Sequence, residues 1–271
     1  MTVSLIITTY NWKEALELVL LSVTNQTIPP NEVIIADDGS KEDTKQFIET
    51  FKQEHPQLNI IHSWQEDQGF RLSRSRNLAI AKASSEYIIV SDGDMILDSH
   101  FIQDHLFHAE KNTYLQGSRV LLSPQLTKNI LISKKFIKPS LCSKLYKNKL
   151  NSIRNIFLSH VIGYIKSTKL RGIRGCNFSL FKKDILKVNG FNEKFISWGQ
   201  EDSEFVQRLY HAGIKRKNLK FSAIQYHLYH KEGCSNSNNI DLLLQTIQSK
   251  STYCVEGLSK NYLLEQNNGK N

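Results

Sequence analysis

The chain has 271 residues, is 40% hydrophobic and 10% aromatic, and carries 35 Lys and Arg against 26 Asp and Glu, a formal net charge of +9. These proportions exclude a disordered or fibrous chain and describe a globular protein long enough to bury a sizeable core. Four scattered cysteines, Cys142, Cys176, Cys234 and Cys254, lack the close pairing of a zinc site or disulfide scaffold, and the N-terminal apolar run is too short for a signal peptide or membrane span, so a cytoplasmic protein is expected.

Residues 3–7, VSLII, predict a short buried strand ending in the polar TTYN, and Leu16, Val19, Leu20 and Val23 at spacings of three and four predict the helix that follows. NEVIIADDGS repeats this grammar, with a strand at 32–36, acids at its end, and a helix over about 42–54 carrying Phe47, Ile48 and Phe51. LNIIHSW is a third strand, GFRLSRSRNLAIAKAS holds a helix marked by Leu78, Ala79 and Ala83, and EYIIVSDGD is a fourth strand ending in acids. Strands alternating with helices predict an α/β fold with a parallel, doubly wound sheet. Such sheets bind ligands outside the carboxyl ends of their strands, the edge where TTYN, DDGS and SDGD would gather.

Beyond Phe101 the pattern weakens. From Lys111 to Lys183 there is no Asp or Glu and there are sixteen Lys or Arg. Within this block NSIRNIFLSHVIGYIKS reads as amphipathic, and RGCNFSLFKKDILKVNGF restores strand-then-helix order. Residues 201–212 read as a helix, SAIQYHLYH as a strand, and the chain from about 258 as a helix fraying at its end. With no internal repeat and no low-complexity linker, one domain over 1–257 is expected, followed by a tail at 258–271.

Five stretches carry chemistry. In SDGD, Asp92 and Asp94 flank Gly93; on an extended chain they would face one side and could share Mg²⁺ or Mn²⁺, whereas Asp-Gly is also a common turn signal. DDGS places Asp37 and Asp38 where a carboxylate could accept a base N–H, or where Ser40 could cap a helix. GFRLSRSRN sets Arg71, Arg74 and Arg76 at a helix mouth, suited to phosphate or to a solvated basic face. WGQEDSEF crowds Glu201, Asp202 and Glu204, so one of them is expected to have a raised pKa and serve as a proton acceptor. There Trp198 offers a flat face for a sugar ring and Gly199 a bend, and the same acids also suit the first turn of a helix. YHLYH supplies His227 and His230, either structural or metal-binding.

Taken in order, IITTYN, DDGS, GFRLSRSRN, DGD and RGCNFSLFKKDILKVNGFNEKFISWGQEDSEF resemble the family 2 glycosyltransferases of the GT-A fold. The last segment is similar to the galactosyltransferase-type signature shared with β-1,4-galactosyltransferases and the GalNAc-transferring half of bacterial chondroitin polymerases. The resemblance spans roughly residues 3–232. It implies a GT-A fold, a Rossmann-like, mostly parallel central sheet flanked by helices. Residues 1–100 would form a nucleotide-binding half, and 101–257 an acceptor-binding half with a basic helical insertion over about 123–170.

The resemblance also implies roles. Thr8, Tyr10 and Asp38 or Asp37 would hold the uridine, Arg71 with Asn77 in its GFRLSRSRN segment the donor, and Asp92 the ribose or metal. Asp94 would bind Mn²⁺ or Mg²⁺ with His230, His227 being the reserve. Asp202 would be the catalytic base, with Trp198, Gly199 and Glu201 at the acceptor. The implied activity is inverting, metal-dependent transfer of a hexose or N-acetylhexosamine from a UDP-sugar to a glycan or lipid-linked acceptor, in bacterial surface polysaccharide or lipopolysaccharide synthesis. Two positions depart from the signature: Gln200 stands where glycine is frequent, and Ser203 where some relatives carry another acid.

The basic block admits three explanations. Nucleic acid is one, but no RNA- or DNA-binding motif is present, so no nucleic acid is expected. A plain solubilising surface is the second. Contact with an anionic membrane at the inner face of the cell membrane suits the apolar Ile153, Ile156, Phe157, Val161 and Ile162 better. A nucleic-acid-binding protein and a nucleotide-sugar hydrolase or nucleotidyltransferase are the competing functions, the latter without its glycine-rich loop.

Overall fold

A computed structural model describes residues 1–231 and 237–259. The first hundred residues fold as β1 (Val3–Thr9), α1 (Lys13–Thr24), β2 (Glu32–Asp37), α2 (Glu42–Glu54), β3 (Ile60–Trp64), α3 (Leu72–Lys82), β4 (Tyr87–Asp92) and β5 (Met95–Leu97). Every residue of β1 and β2 is buried. Burial on both faces explains why these strands read as apolar runs rather than as alternations. The period of two still decides which layer each side chain joins: Leu5 and Ile7 pack with Leu16, Val19 and Phe51, while Ile6 packs with Ile80, Phe178 and Phe205 on the opposite face.

The rest of the chain supplies α4 (Phe101–His108), β6 (Thr113–Gln116), β7 (Val120–Leu122), α5 (Pro124–Ser133), β8 (Tyr146–Lys147), a 3-10 turn at Lys149–Ser152, α6 (Ile156–Gly163) and β9 (Lys166–Ser167). There follow β10 (Asn177–Phe181), α7 (Lys182–Lys187), α8 (Glu201–His211), β11 (Lys215–Asn218), β12 (Gln225–His227) and α9 (Ser237–Ser249). The main sheet runs β3-β2-β1-β4-β10-β6-β11-β9, and a second runs β5-β12-β7-β8. β1 to β4 are parallel to one another, as are β6 and β11, whereas β10 is antiparallel to both its neighbours. The α/β sheet with flanking helices is therefore as expected, extended by an antiparallel insertion.

Three details differ from the sequence expectation. The fourth strand stops at Asp92, because Gly93 turns the chain: its N–H donates to the Thr8 carbonyl at 2.6 Å, and a Cβ there would meet the same oxygen at 2.5 Å. The strand expected over 222–230 is confined to Gln225–His227. The basic insertion is not wholly helical, since strands β8 and β9 interleave with α5 and α6. Most of the expected terminal helix, residues 260–271, lies outside the described residues; Leu258 is buried, its N–H bonded to the Asn189 carbonyl at 2.9 Å.

Candidate active site

A cavity of about 310 Å³ opens at the carboxyl ends of β1 and β4, where β1 is flanked by β2 on one side and β4 on the other. This is the switch point at which open α/β sheets take their ligands. Thr8, Tyr10, Asp38, Asp92, Asp94, Trp198, His227 and His230 all line it, together with Trp12, Phe70 and Arg119.

On one wall Asp94, His227 and His230 converge. Asp94 Oδ2 lies 3.1 Å from His227 Nε2 and 3.0 Å from His230 Nε2, and the two ring nitrogens are 3.1 Å apart. Their ligand atoms all fall within 4.8 Å of one another. Burial works against the Asp94 charge, but hydrogen bonds from both imidazoles prevail and hold it down at about 2. The bond from Asp94 in turn raises His230 to about 9 against its partial burial. Two observations fit a divalent cation. Asp94 Oδ1 is buried with no hydrogen-bond partner. His230 Nδ1 donates to the Lys231 carbonyl at 2.9 Å, which leaves Nε2 as the lone-pair nitrogen of the neutral ring. Asp92 stands outside this trio: the turn at Gly93 sends it elsewhere, and its Oδ1 accepts from Thr8 Oγ1 at 2.8 Å and Arg76 Nη2 at 3.3 Å.

The acids of DDGS separate in the same way. Asp37 is fully buried, with Oδ1 accepting the Ser40 N–H at 2.8 Å and Oδ2 2.9 Å from His62 Nε2, and it does not reach the cavity. Asp38 does reach it; burial pushes its pKa up to about 6, although it accepts the Arg71 N–H at 2.8 Å and bonds to Gln65. Arg71 meets the site through its backbone, between the lining residues Phe70 and Leu72. Arg74 bonds Gln65 Oε1 at 2.8 Å. Asn77 is fully buried and clasps α3 to the chain after α7, donating to the Phe191 carbonyl at 2.8 Å and accepting the Phe191 N–H at 2.8 Å.

Of the WGQED segment, Trp198 lines the cavity, whereas Gly199, Gln200, Glu201 and Asp202 are not among its lining residues. Ser197, Gly199 and Gln200 have φ of +73°, +111° and +71°, a left-handed run that side chains other than glycine resist, and it swings Trp198 into the cavity rim at 45% exposure. α8 then begins with its acids in the first turn. Burial, then the neighbouring Asp202, pushes Glu201 up to about 7. Burial also raises Asp202, against the pull of Arg76 and of hydrogen bonds from the Ser203 and Gly175 backbones. Glu204 takes no part: it is buried in a two-pronged pair with Arg208, both bonds at 2.8 Å, and accepts from Thr246 Oγ1 at 3.1 Å.

The sequence reading missed the role of one residue that it named, Arg76, and missed Asn239 altogether. Arg76, only 1% exposed, is not a surface phosphate ligand but an internal bridge, 3.3 Å from Asp92 and 3.7 Å from Glu201, stacked on Phe191 and too close to Gly175 for any Cβ there. Asn239 on α9 is buried and donates to the Gly199 carbonyl at 2.8 Å and the Ser197 carbonyl at 3.3 Å, so it clamps the left-handed run. Arg76 carried no signal beyond its place in an arginine cluster, and Asn239 none at all.

Residues 4–187 match the family model described as glycosyl transferase family 2, and residues 162–231 the one described as N-terminal domain of galactosyltransferase. The chain is similar to the chondroitin synthase of Escherichia coli, 29% identical over 270 residues, which covers 92% of this chain and 38% of the relative. It is similar also to the chondroitin synthase of Pasteurella multocida, 28% identical over 94% of this chain and 28% of the relative. The chain thus spans less than two fifths of the length of these relatives. Among solved structures, TarS of S. aureus in complex with UDP-GlcNAc aligns with a TM-score of 0.65 at 16% identity, over 92% of this chain and 66% of that one. A mannosyltransferase of Pyrobaculum calidifontis in complex with GDP-Man and Mn²⁺ aligns with a TM-score of 0.59 at 17% identity, over 85% and 58%. At these identities the shared property is the fold, the GT-A arrangement of a mostly parallel sheet between helices.

Proposed function

From a chain that belongs to glycosyl transferase family 2, we propose an inverting enzyme that moves a hexose or N-acetylhexosamine from a UDP-sugar to a hydroxyl of a glycan, free or lipid-linked. The observation that carries this reading is a single cavity lined by Asp94, His227 and His230 and also by Trp198. The first group would hold Mn²⁺ or Mg²⁺, which when bound supplies positive charge against a diphosphate leaving group. Asp38 faces the cavity with a pKa near 6 and suits a uracil N–H; Thr8 and Arg76 fix Asp92 beside it for the ribose. Trp198 offers its face to the acceptor ring, and Asp202 takes the proton of the incoming hydroxyl. A base on the acceptor side and a leaving group opposite describe one displacement, which inverts the anomeric centre and needs no covalent nucleophile.

The names of the relatives, chondroitin synthases and a hyaluronan synthase, support a place in polysaccharide assembly. Free thiols at Cys142, Cys176 and Cys254 accord with work in the cytoplasm. The test is a screen of UDP-sugars for Mn²⁺-dependent UDP release, repeated with glycan acceptors and followed by the anomeric coupling of the product. Release of UDP with a β-linked product from an α-linked donor is expected. Release of pyrophosphate, or a product that retains the donor's anomeric configuration, would overturn the reading.

A further inference from the structure

The basic insertion carries its apolar residues on the outside. Among the described residues, seven large hydrophobic side chains are exposed by 70% or more, and six of them lie between Ile132 and Ile165: Ile132, Ile137, Leu150, Phe157, Tyr164 and Ile165. A solvated basic face does not place them so, because scattered exposed hydrophobics are ordinary and a concentration is not.

Helix α6 shows the inversion most clearly. Its buried positions are Ser159 and Gly163. Ser159 Oγ bonds His108 Nε2 at 2.9 Å and Ser222 Oγ at 2.6 Å, and Gly163 sits so close to Lys217 that a Cβ would lie 2.6 Å from its Cε. Phe157 and Val161, one turn apart, face outward at 72% and 49% exposure. A helix that packs on a core does the reverse. The inner seam of α6 is satisfied by hydrogen bonds and close backbone approach, so its apolar face is left for something outside the chain.

The charge says what. No carboxylate occurs from residue 111 to 183. Lys134, Arg154 and Lys166 are paired with Glu17, Asp104 and Glu110 from outside the block, whereas the exposed Lys135, Lys144, Lys147 and Lys169 make no ion pair among the described residues. A second copy docked through the same surface would bring like charge against like charge. Nucleic acid would answer the lysines and leave the aliphatic side chains uncovered. A bilayer with acidic headgroups answers both, taking the apolar side chains at the acyl boundary and the lysines at the phosphates.

We infer that residues 132–169 form a peripheral docking surface for an anionic lipid bilayer. The inference rests on the reading above only for its purpose, which is to bring the cavity to a lipid-borne acceptor.

The test is sedimentation of the whole chain with phosphatidylcholine vesicles, with and without phosphatidylglycerol. The chain is expected to sediment with the anionic vesicles at low salt, to release at high salt, and to leave neutral vesicles unbound. Phe157→Ser with Ile165→Ser, and separately Lys144→Glu with Lys147→Glu, are each expected to weaken binding roughly tenfold while circular dichroism stays unchanged. UDP release with a soluble acceptor should be the same in all of them, which separates failure of this surface from failure of the catalytic reading. Absence of binding to anionic vesicles at low salt, equal binding to neutral ones, or full binding by both variants would overturn the inference. So would a dimer in solution that the Phe157→Ser and Ile165→Ser pair converts to monomer.

Discussion

The Asp94 cluster and the start of α8 treat their carboxylates in opposite ways. Asp94 is half-buried yet held at about 2 by two imidazoles, so it keeps its negative charge. At the start of α8, burial pushes Glu201 up to about 7 and raises Asp202 as well. The difference is one of company: hydrogen-bonding imidazoles on one side, burial beside a like charge on the other. Opposed environments of this kind separate a group that holds charge from a group that moves a proton. Arg76, 3.7 Å from Glu201, favours the ionised form of both Glu201 and Asp202.

The sharpest break in this comparison is Asp202→Asn, which removes the proposed proton acceptor while keeping the shape of the first turn of α8. Turnover should fall about a hundred- to ten-thousandfold with donor KM little changed, measured by UDP release. Asp94→Ala attacks the other cluster. It should abolish Mn²⁺ binding by calorimetry and lower kcat by about a hundred- to a thousandfold, with thermal unfolding still cooperative.

Glu201→Gln sharpens the contrast through pH. In the wild type kcat/KM should rise between about pH 6 and 8 as the coupled pair gives up its second proton. In the variant the inflection should move down, because Asp202 has lost its like-charged neighbour; an unmoved profile would mean that the two acids are not coupled. Stability follows the same group. The folded pKa of Glu201 lies above its ordinary 4.5, so the folded state keeps a proton that the unfolded state releases. Its contribution is full below about pH 4.5 and is lost as the pH rises through about 7. Urea midpoints at pH 5.5 and 8 should therefore differ less in Glu201→Gln than in the wild type.

Smaller effects come from the scaffold of the Trp198 segment. Asn239→Ala should raise acceptor KM by roughly tenfold, the loss of about one or two buried hydrogen bonds, and leave donor KM and acceptor-free UDP release unchanged. A uniform fall in all parameters would mark Asn239 as merely structural. Gln200→Gly should be the mildest change, since φ at +71° favours glycine: a thermal midpoint unchanged or raised by less than about 1 kcal/mol of stability, where Gln200→Val lowers it.

Much of the molecule was legible beforehand. The strands and helices of residues 3–92 fall where apolar period and turn residues place them, because those signals are local. The cavity edge followed from the same alternation. The roles within each acidic motif were not legible. Asp37 and Asp38 are adjacent, but only Asp38 faces the cavity; Asp92 and Asp94 part because a Thr8 carbonyl packs against Gly93; Glu204, one of three acids in WGQEDSEF, spends itself on Arg208. The apolar residues of α6 were legible as a set, but only the structure shows that Phe157 and Val161 of that set point outward.

The sequence by itself determined the alternating α/β order, the carboxyl-edge placement of TTYN, DDGS and SDGD, and the basic block. Tertiary structure alone decided which groups meet. Asp94 and His227 are 133 residues apart and Asn239 lies 40 residues from Gly199, so their pairing depends on how sheets and helices close over long loops. Their pKa values follow from that closure, because burial and neighbours, not residue type, set the balance between charge and proton.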